Sequence, residues 1–305
     1  ETLNARGVKL STADLLKNYI LSQTPPKQKE DRYKEWRSIA RQFPQNGTNS
    51  FVQYIRHVVT VEGGHILPKD LFDFLARRTV HGNKRPPSPD ELMGLLRLNL
   101  PLYMQMIDPT LDGPAEPEVL KIFAALNSLG VISVRPILLA ISETNNSLEG
   151  MSYILKLVVR RIVVGNLGTG NVERRFGEAA KNVHDRRDWH ALEEELWDLN
   201  PSREDFVGQI RKRSFNKGSL TFLRRSIVAQ TTTPDTEGFL HFIVPRQGAG
   251  WVGLSEEDAL YWGGTIANTF LATLERRPKQ AITWEGFKKS VLPEGIDREW
   301  IDRLR

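Results

Sequence analysis

Met151-Ser-Tyr-Ile-Leu-Lys-Leu-Val-Val-Arg-Arg-Ile-Val-Val164 is the stretch on which the fold class turns. Leu155, Leu157, Val158, Val159, Ile162, Val163 and Val164 include enough β-branched side chains to suit a strand. The segments around it repeat their apolar residues at helical spacing, and they decide for a helix here as well. Ile154 to Val164 is the longest apolar run in the chain. Lys156, Arg160 and Arg161 interrupt it, so it is too short and too charged to span a bilayer, and no membrane partner is expected.

Working outward from it toward the N-terminus, helices are expected over 135–142, 117–129 and 93–106. Ser88-Pro89-Asp90-Glu91 opens the last of these, with proline at the first position and acids in the first turn. Lys84-Arg-Pro-Pro-Ser-Pro89 reads as a linker, as does Thr24-Pro25-Pro26-Lys27. Between the linkers, helices are expected over 31–43, 51–61 and 68–79. The first helix of the chain follows a turn at Asn4 to Gly7. Ser11 is its expected N-cap, and Leu15, Leu16, Tyr19 and Ile20 are its inward face. Toward the C-terminus, 171–183, 189–199 and 202–213 read as helices. Beyond them the pattern changes: Phe239-Leu-His-Phe-Ile-Val-Pro245 is a short strand ended by proline. Ser255 caps a helix that Gly263-Gly264 breaks, and Thr283 opens another. The fold class is mainly α, a multi-helix middle domain with a small α+β C-terminal unit.

Composition narrows the function classes. The absence of cysteine removes disulfides, thiolate zinc sites and cysteine nucleophiles, and fits a reducing cytoplasm. The excess of 42 Lys and Arg over 37 Asp and Glu, +5 in all, admits an anionic partner without requiring one. His57, His81, His184 and His190 lack the paired spacing with acids that a zinc site needs. Gly165-Asn-Leu-Gly-Thr-Gly170 lacks the Lys-Ser/Thr of a phosphate loop and reads as a connection. The basic doublets are more informative. Arg160-Arg161, Arg174-Arg175 and Arg211-Lys212-Arg213, with Arg186-Arg187 and Arg224-Arg225, form a phosphate-binding stripe if they share a face. Otherwise they are solvated, or are held by acids such as Asp185 and Glu193.

Three stretches carry a family resemblance. Leu3-Asn4, Arg6-Gly7, Leu10-Ser11, Ala13-Asp14-Leu15 and Lys17-Asn18 resemble the end of the ParB-like N-terminal domain of GmrSD-type modification-dependent restriction enzymes, a group that includes the phosphorothioate-sensing SspE proteins. Arg160-Arg161 and the following Asn171-Val-Glu-Arg-Arg-Phe176 are similar to the paired-arginine segment of that family's helical region. Phe239 onward resembles its C-terminal HNH nuclease domain. The resemblance implies three segments, the tail of the ParB-like domain at 1–24, a helical domain at 25–230 and an HNH-type unit at 231–305. It also implies that the chain starts partway into a longer protein, with the family's Asp-Gly-Gln-Gln-Arg nucleotide-hydrolysis motif upstream of Glu1. The implied function is antiviral defence acting on DNA, with a partner protein or a second copy as further partners.

The same resemblance locates a candidate catalytic site and its defects. An HNH centre uses a histidine as general base and a divalent metal such as Mg²⁺ against the scissile phosphate. His241, Asn268 and Lys288 stand at or beside the family's catalytic positions. The Ile243-Val-Pro245 phrase, however, puts Phe242 where the base belongs, and Leu274-Glu275-Arg-Arg277 stands where a later Asn is expected. The expectation is a degenerate HNH-type unit, with Mg²⁺ bound only if the centre is active. The alternative is a non-catalytic helical scaffold that binds DNA or a partner protein. His65-Ile-Leu-Pro68 copies the nuclease phrase more closely, but it sits early among helices and reads as a loop.

Overall fold

Serine hydroxyls start several of the helices. Ser11, Ser202 and Ser255 accept from the backbone N–H three residues on, at 3.2, 3.0 and 3.0 Å. Ser88 closes a full capping box with Glu91, whose carboxylate accepts from the Ser88 N–H at 2.7 Å. These contacts come from a computed structural model that describes residues 10–44, 49–77, 85–165, 169–235, 237–244, 251–273, 275 and 283–290. The described residues form α1 (Thr12–Gln23), α2 (Lys29–Ala40), α3 (Ser50–Gly63), α4 (Leu71–Ala76), α5 (Pro89–Ile107), α6 (Pro117–Ser128) and α7 (Arg135–Ser142). They continue as α8 (Ser147–Val164), α9 (Thr169–Arg186), α10 (Ala191–Glu195), α11 (Arg203–Lys212) and α12 (Lys217–Ala229). The last elements are β1 (Phe239–Phe242), α13 (Glu256–Gly263), β2 (Thr269–Ala272) and α14 (Trp284–Ser290). The fold is mainly α, and the two strands pair antiparallel as the one sheet among the described residues.

Met151–Val164 lies wholly inside α8. Ile154, Leu155, Val158 and Val163 are fully buried there, so packing overrides the strand propensity of the β-branched residues. Two expected helices differ in detail. Residues 68–79 begin as a 3-10 turn, Pro68–Asp70, before α4, and Thr79 falls outside the described residues. Residues 189–199 divide into α10 and a 3-10 turn, Trp197–Leu199. The turn at Asn4 to Gly7 also lies outside the described residues. None of the helices among the described residues is long and apolar enough to cross a membrane.

The chain forms two units that interleave along the sequence. Unit 1 comprises Glu1–Glu116, Ser133–Met151 and Gly168–Trp197; unit 2 comprises Pro117–Ile132, Ser152–Leu167 and Asp198–Arg305. In unit 1, α3 is the central helix and meets α1, α5, α7 and α9. Leu16 and Ile20 of α1 are buried, while Leu15 and Tyr19 on the same face are half-buried. An aromatic row fills the interior, with Phe43 stacked on Tyr54 at 5.1 Å and Tyr54 against Tyr103 at 4.6 Å. Gly177 lets the His65 loop lie on α9, since a Cβ there would come within 2.9 Å of the His65 backbone. In unit 2, α12 meets α6 and both strands, and buries Leu220, Phe222 and Leu223.

Candidate functional site

The C-terminal candidates meet in a hairpin backed by a helix. The β1–β2 register sets His241 opposite Phe270 and Phe242 opposite Thr269. Residues directly opposite share a face, and Phe270 meets Phe287 of α14 edge-on at 5.5 Å. His241 therefore lies on the face that α14 covers; it is 7% exposed, with its ring 5.6 Å from that of Phe270. Phe242 points to the other face, so only a one-residue slip would exchange the two. Phe270, Ala272 and Phe287 form the small core, with Ile243, Trp251 and Trp284 packed against it. Thr283 starts α14, its hydroxyl accepting from the Gly286 N–H at 3.0 Å.

Asn268 is a clamp. Its side-chain amide donates to the carbonyls of Val244 at 2.9 Å and Gly263 at 3.0 Å, and its Oδ1 accepts from the Val244 N–H at 2.8 Å. These bonds tie the end of the first strand to the 3-10 turn Ile266–Asn268 that precedes β2. Lys288 pairs with Glu285 at 2.7 Å and lies 5.5 Å over the Trp284 ring. The described residues of this unit do not form a site for a resident Mg²⁺. The Asn268 oxygen already holds a backbone N–H, His241 is shut against a phenyl ring, and no three His, Asp or Glu converge among the described residues.

The basic doublets divide into tethers and solvent-facing cations. Arg161 is 4% exposed and donates to the Leu199 carbonyl at 2.8 Å; burial lowers its pKa, against the attraction of Asp198. Arg160 donates to the Pro201 carbonyl, and Arg175 to that of Glu195. Arg213 donates to the carbonyls of Ile162 and Val163 at the end of α8, where a cation complements the helix dipole. Gly165 next to it has φ +89°, and a Cβ there would meet the Arg213 guanidinium at 2.6 Å. Arg225 donates to Gly238 at 2.8 Å. Arg174, Arg211 and Lys212 are exposed, Arg174 with a bond to Asn171 at 3.0 Å. The sequence pattern identified the doublets but not these backbone acceptors.

Charge is unevenly shared. Unit 1 holds 22 basic and 22 acidic residues and unit 2 holds 20 and 15, so the chain's excess of +5 lies wholly in unit 2. In unit 1 cations meet carboxylates: Arg56 with Glu173 at 2.7 Å, Arg97 with Glu35 at 2.8 Å, Arg32 with Glu35 at 3.0 Å. In unit 2 the ion pairs Lys121–Asp235 and Lys288–Glu285 stand beside Arg160, Arg213 and Arg225, which are directed at carbonyls that leave the charge in place, while Arg161 also feels the Asp198 carboxylate.

Unit 1 also holds titratable groups that the spacing of its histidines gave no sign of. His57 is 1% exposed, its Nδ1 2.8 Å from the Tyr103 hydroxyl. Desolvation, with Arg56 and Arg135 nearby, pushes its pKa well down and keeps it neutral. Arg135 lies over the Tyr103 ring, 5.3 Å from its centre. Nearer the surface, the Glu143 carboxylate bonds His184 Nδ1 at 2.7 Å and raises its pKa. Burial raises that of Glu62. No family model and no curated protein matches the sequence.

Proposed function

We propose that the chain is a portion of a DNA-targeting defence protein of the GmrSD/SspE-like kind, and that it associates with DNA through unit 2. The observation that carries this is the confinement of the whole excess of positive charge to unit 2, where arginines end on uncharged carbonyls. A guanidinium that donates to a carbonyl is fixed in position yet keeps its field, which attracts phosphate. Arg211 and Lys212 lie exposed at the end of α11 and supply direct phosphate contacts. The hairpin with α14 is a degenerate HNH-type unit in this reading, one that retains the fold and has lost the hydrolytic centre. Burial of His241 and the three bonds of Asn268 support that role. A cytoplasmic setting belongs to the same proposal.

The test is equilibrium binding of labelled duplex DNA across a salt series. Affinity should fall with rising salt, by roughly 0.9 in log–log slope for each phosphate neutralised. Binding that ignores salt, or no binding in dilute buffer, sinks the reading. Plasmid incubated with Mg²⁺ or Mn²⁺ should stay intact. Nicking that disappears in His241→Ala would show that the hydrolytic centre survives.

A second reading, a scaffold that docks a protein, rests on α13. Leu260, Tyr261 and Trp262 are 64%, 54% and 44% exposed there, with Val252 at 62% close by in sequence. Apolar side chains exposed together in this way mark docking surfaces. Replacing Leu260 and Tyr261 by Ser would leave DNA affinity unchanged and abolish association with the partner or with a second copy.

A further inference from the structure

Between α8 and the first turn of α11, unit 2 contains a cavity of about 270 Å³ lined by Lys156, Val159, Arg160, Arg203, Phe206 and Thr232. Its construction follows from helix geometry. Lys156, Val159 and Arg160 are spaced i, i+3, i+4 on α8, and Arg203 and Phe206 are spaced i, i+3 on α11, so each set shares one helix face. The wall is almost entirely carbon, formed by Val159, Phe206, Thr232 and the stems of the three cations. No acid lines it. Glu204 and Asp205 follow Arg203 in the chain but stay out of the lining, and Asp205 is engaged with the Ser202 hydroxyl.

Two further features point to a ligand. Among the described residues, none of Lys156, Arg160 and Arg203 has a carboxylate at ion-pair distance, whereas the cations of unit 1 commonly do. Arg160 is fixed by its bond to the Pro201 carbonyl, so its charge is held at the cavity in advance. Phe206 is half-buried and lines the cavity, with no aromatic ring contact among the described residues. An apolar slot with a phenyl ring in its wall and three cations that meet no carboxylate among the described residues is complementary to a planar ring that carries phosphate. An apolar side chain of a protein would leave the three charges unanswered.

We propose that this cavity receives the base of an unpaired nucleotide, stacked on Phe206, with Lys156, Arg160 and Arg203 around its phosphate. The proposal rests on the nucleic-acid reading of unit 2 and adds a preference for single strands, because a base inside a duplex cannot leave its stack without loss. The chemistry is shared by single-stranded DNA and by a free nucleotide, and the experiment separates the two.

The full chain is titrated with a single-stranded oligonucleotide carrying one 2-aminopurine, with a duplex of the same sequence and with dAMP. Emission from the 2-aminopurine should be quenched on binding. Phe206→Leu, which keeps the apolar volume and removes the ring, should abolish the quench and weaken single-strand binding by about tenfold. Duplex affinity should stay unchanged in that variant. Lys156→Glu, at an exposed position, should weaken single-strand binding without unfolding the protein, which circular dichroism checks. If dAMP binds as tightly as the oligonucleotide and loses affinity in Phe206→Leu, the site stands and its source is the free nucleotide. Phe206→Leu binding single strands and dAMP as the unmodified chain does would overturn the site, while salt-sensitive duplex binding would leave the broader reading intact. Failure of the unmodified chain to bind either DNA would overturn both.

Discussion

Unit 1 and unit 2 solve the same problem, how to fold a chain rich in arginine, in different ways. Unit 1 mainly neutralises: Arg56, Arg97 and Arg187 each face a carboxylate, Arg175 donates to the Glu195 carbonyl, and basic and acidic residues balance at 22 each. Unit 2 tethers: Arg160, Arg213 and Arg225 donate to backbone carbonyls, as does Arg161, which also has Asp198 beside it. Both arrangements give each guanidinium a hydrogen bond, although Arg160 and Arg225 keep a buried Nε without an acceptor, and only the first cancels the field. Arginines thus meet counter-charges in one unit and keep much of their field in the other.

The sharpest way to break this comparison is in the clamp of unit 2, where a side chain again holds backbone groups. Asn268→Ala leaves the Val244 N–H and two carbonyls without their partner in a site only 7% exposed. At about 1–3 kcal/mol for each unsatisfied buried group, a loss of about 3 kcal/mol or more is expected. Urea denaturation followed by Trp fluorescence measures it. A loss under about 1 kcal/mol would mean that the hairpin does not depend on the clamp.

In unit 1 the matching test removes a carboxylate. Glu173→Gln leaves Arg56, 7% exposed, with its bond to the Ile66 carbonyl but without its counter-charge. A cost of about 2 kcal/mol is expected, below the range for a fully buried pair because Glu173 is partly open to solvent. A neutral result in the same urea assay would remove the distinction between the two units. Next in size is Gly165→Ala, where positive φ and the Arg213 guanidinium both oppose a methyl group. About 1–2 kcal/mol should be lost. Arg213→Ala in the same background should add less than it does alone, since the two residues act on one helix end.

The smallest effect is a pH dependence that arises in unit 1. His184 has a raised pKa, through its bond to Glu143, so its contribution is full below the ordinary value of 6.5 and fades as pH rises through the folded value. Glu62, raised by burial, acts in the same direction from 4.5 upward, because the folded state favours its neutral form. Melting temperatures should therefore fall slightly from pH 6 to pH 8, by less than about 1 kcal/mol in stability. Glu62→Gln with His184→Gln should flatten the profile, and an unchanged slope in that double variant would contradict the assignment.

The local features were legible in the sequence. Ser11, Ser88, Ser202 and Ser255 each announce a helix because an acid follows at the third position, and the cap needs nothing from elsewhere in the chain. The strand at Phe239 was legible from its apolar run and the turn signals around it. What the sequence could not reveal was where the arginines end. A carbonyl acceptor such as Pro201 or Leu199 has no signature of its own, and tertiary packing brings it into reach from 41 or 38 residues away. The charge partition was hidden for a related reason. Unit 2 collects 117–132 and 152–167 from among the helices of unit 1, so a count along the chain averages the two. His57 likewise gave no pattern, because its partner Tyr103 is 46 residues distant.

The central claim is that the anion-binding field belongs to unit 2. Its most direct test is the salt dependence of duplex DNA binding in two charge reversals, Arg211→Glu with Lys212→Glu in unit 2 and Arg174→Glu in unit 1. All three positions are exposed, so none should disturb folding. The unit 2 pair should weaken binding at least tenfold and flatten the log–log salt slope by roughly 1.8, two phosphates' worth. Arg174→Glu should stay within about twofold of the unmodified chain, as expected for a charge that makes no phosphate contact. An Arg174→Glu defect as large as that of the unit 2 pair, with an equal change in slope, would contradict the account.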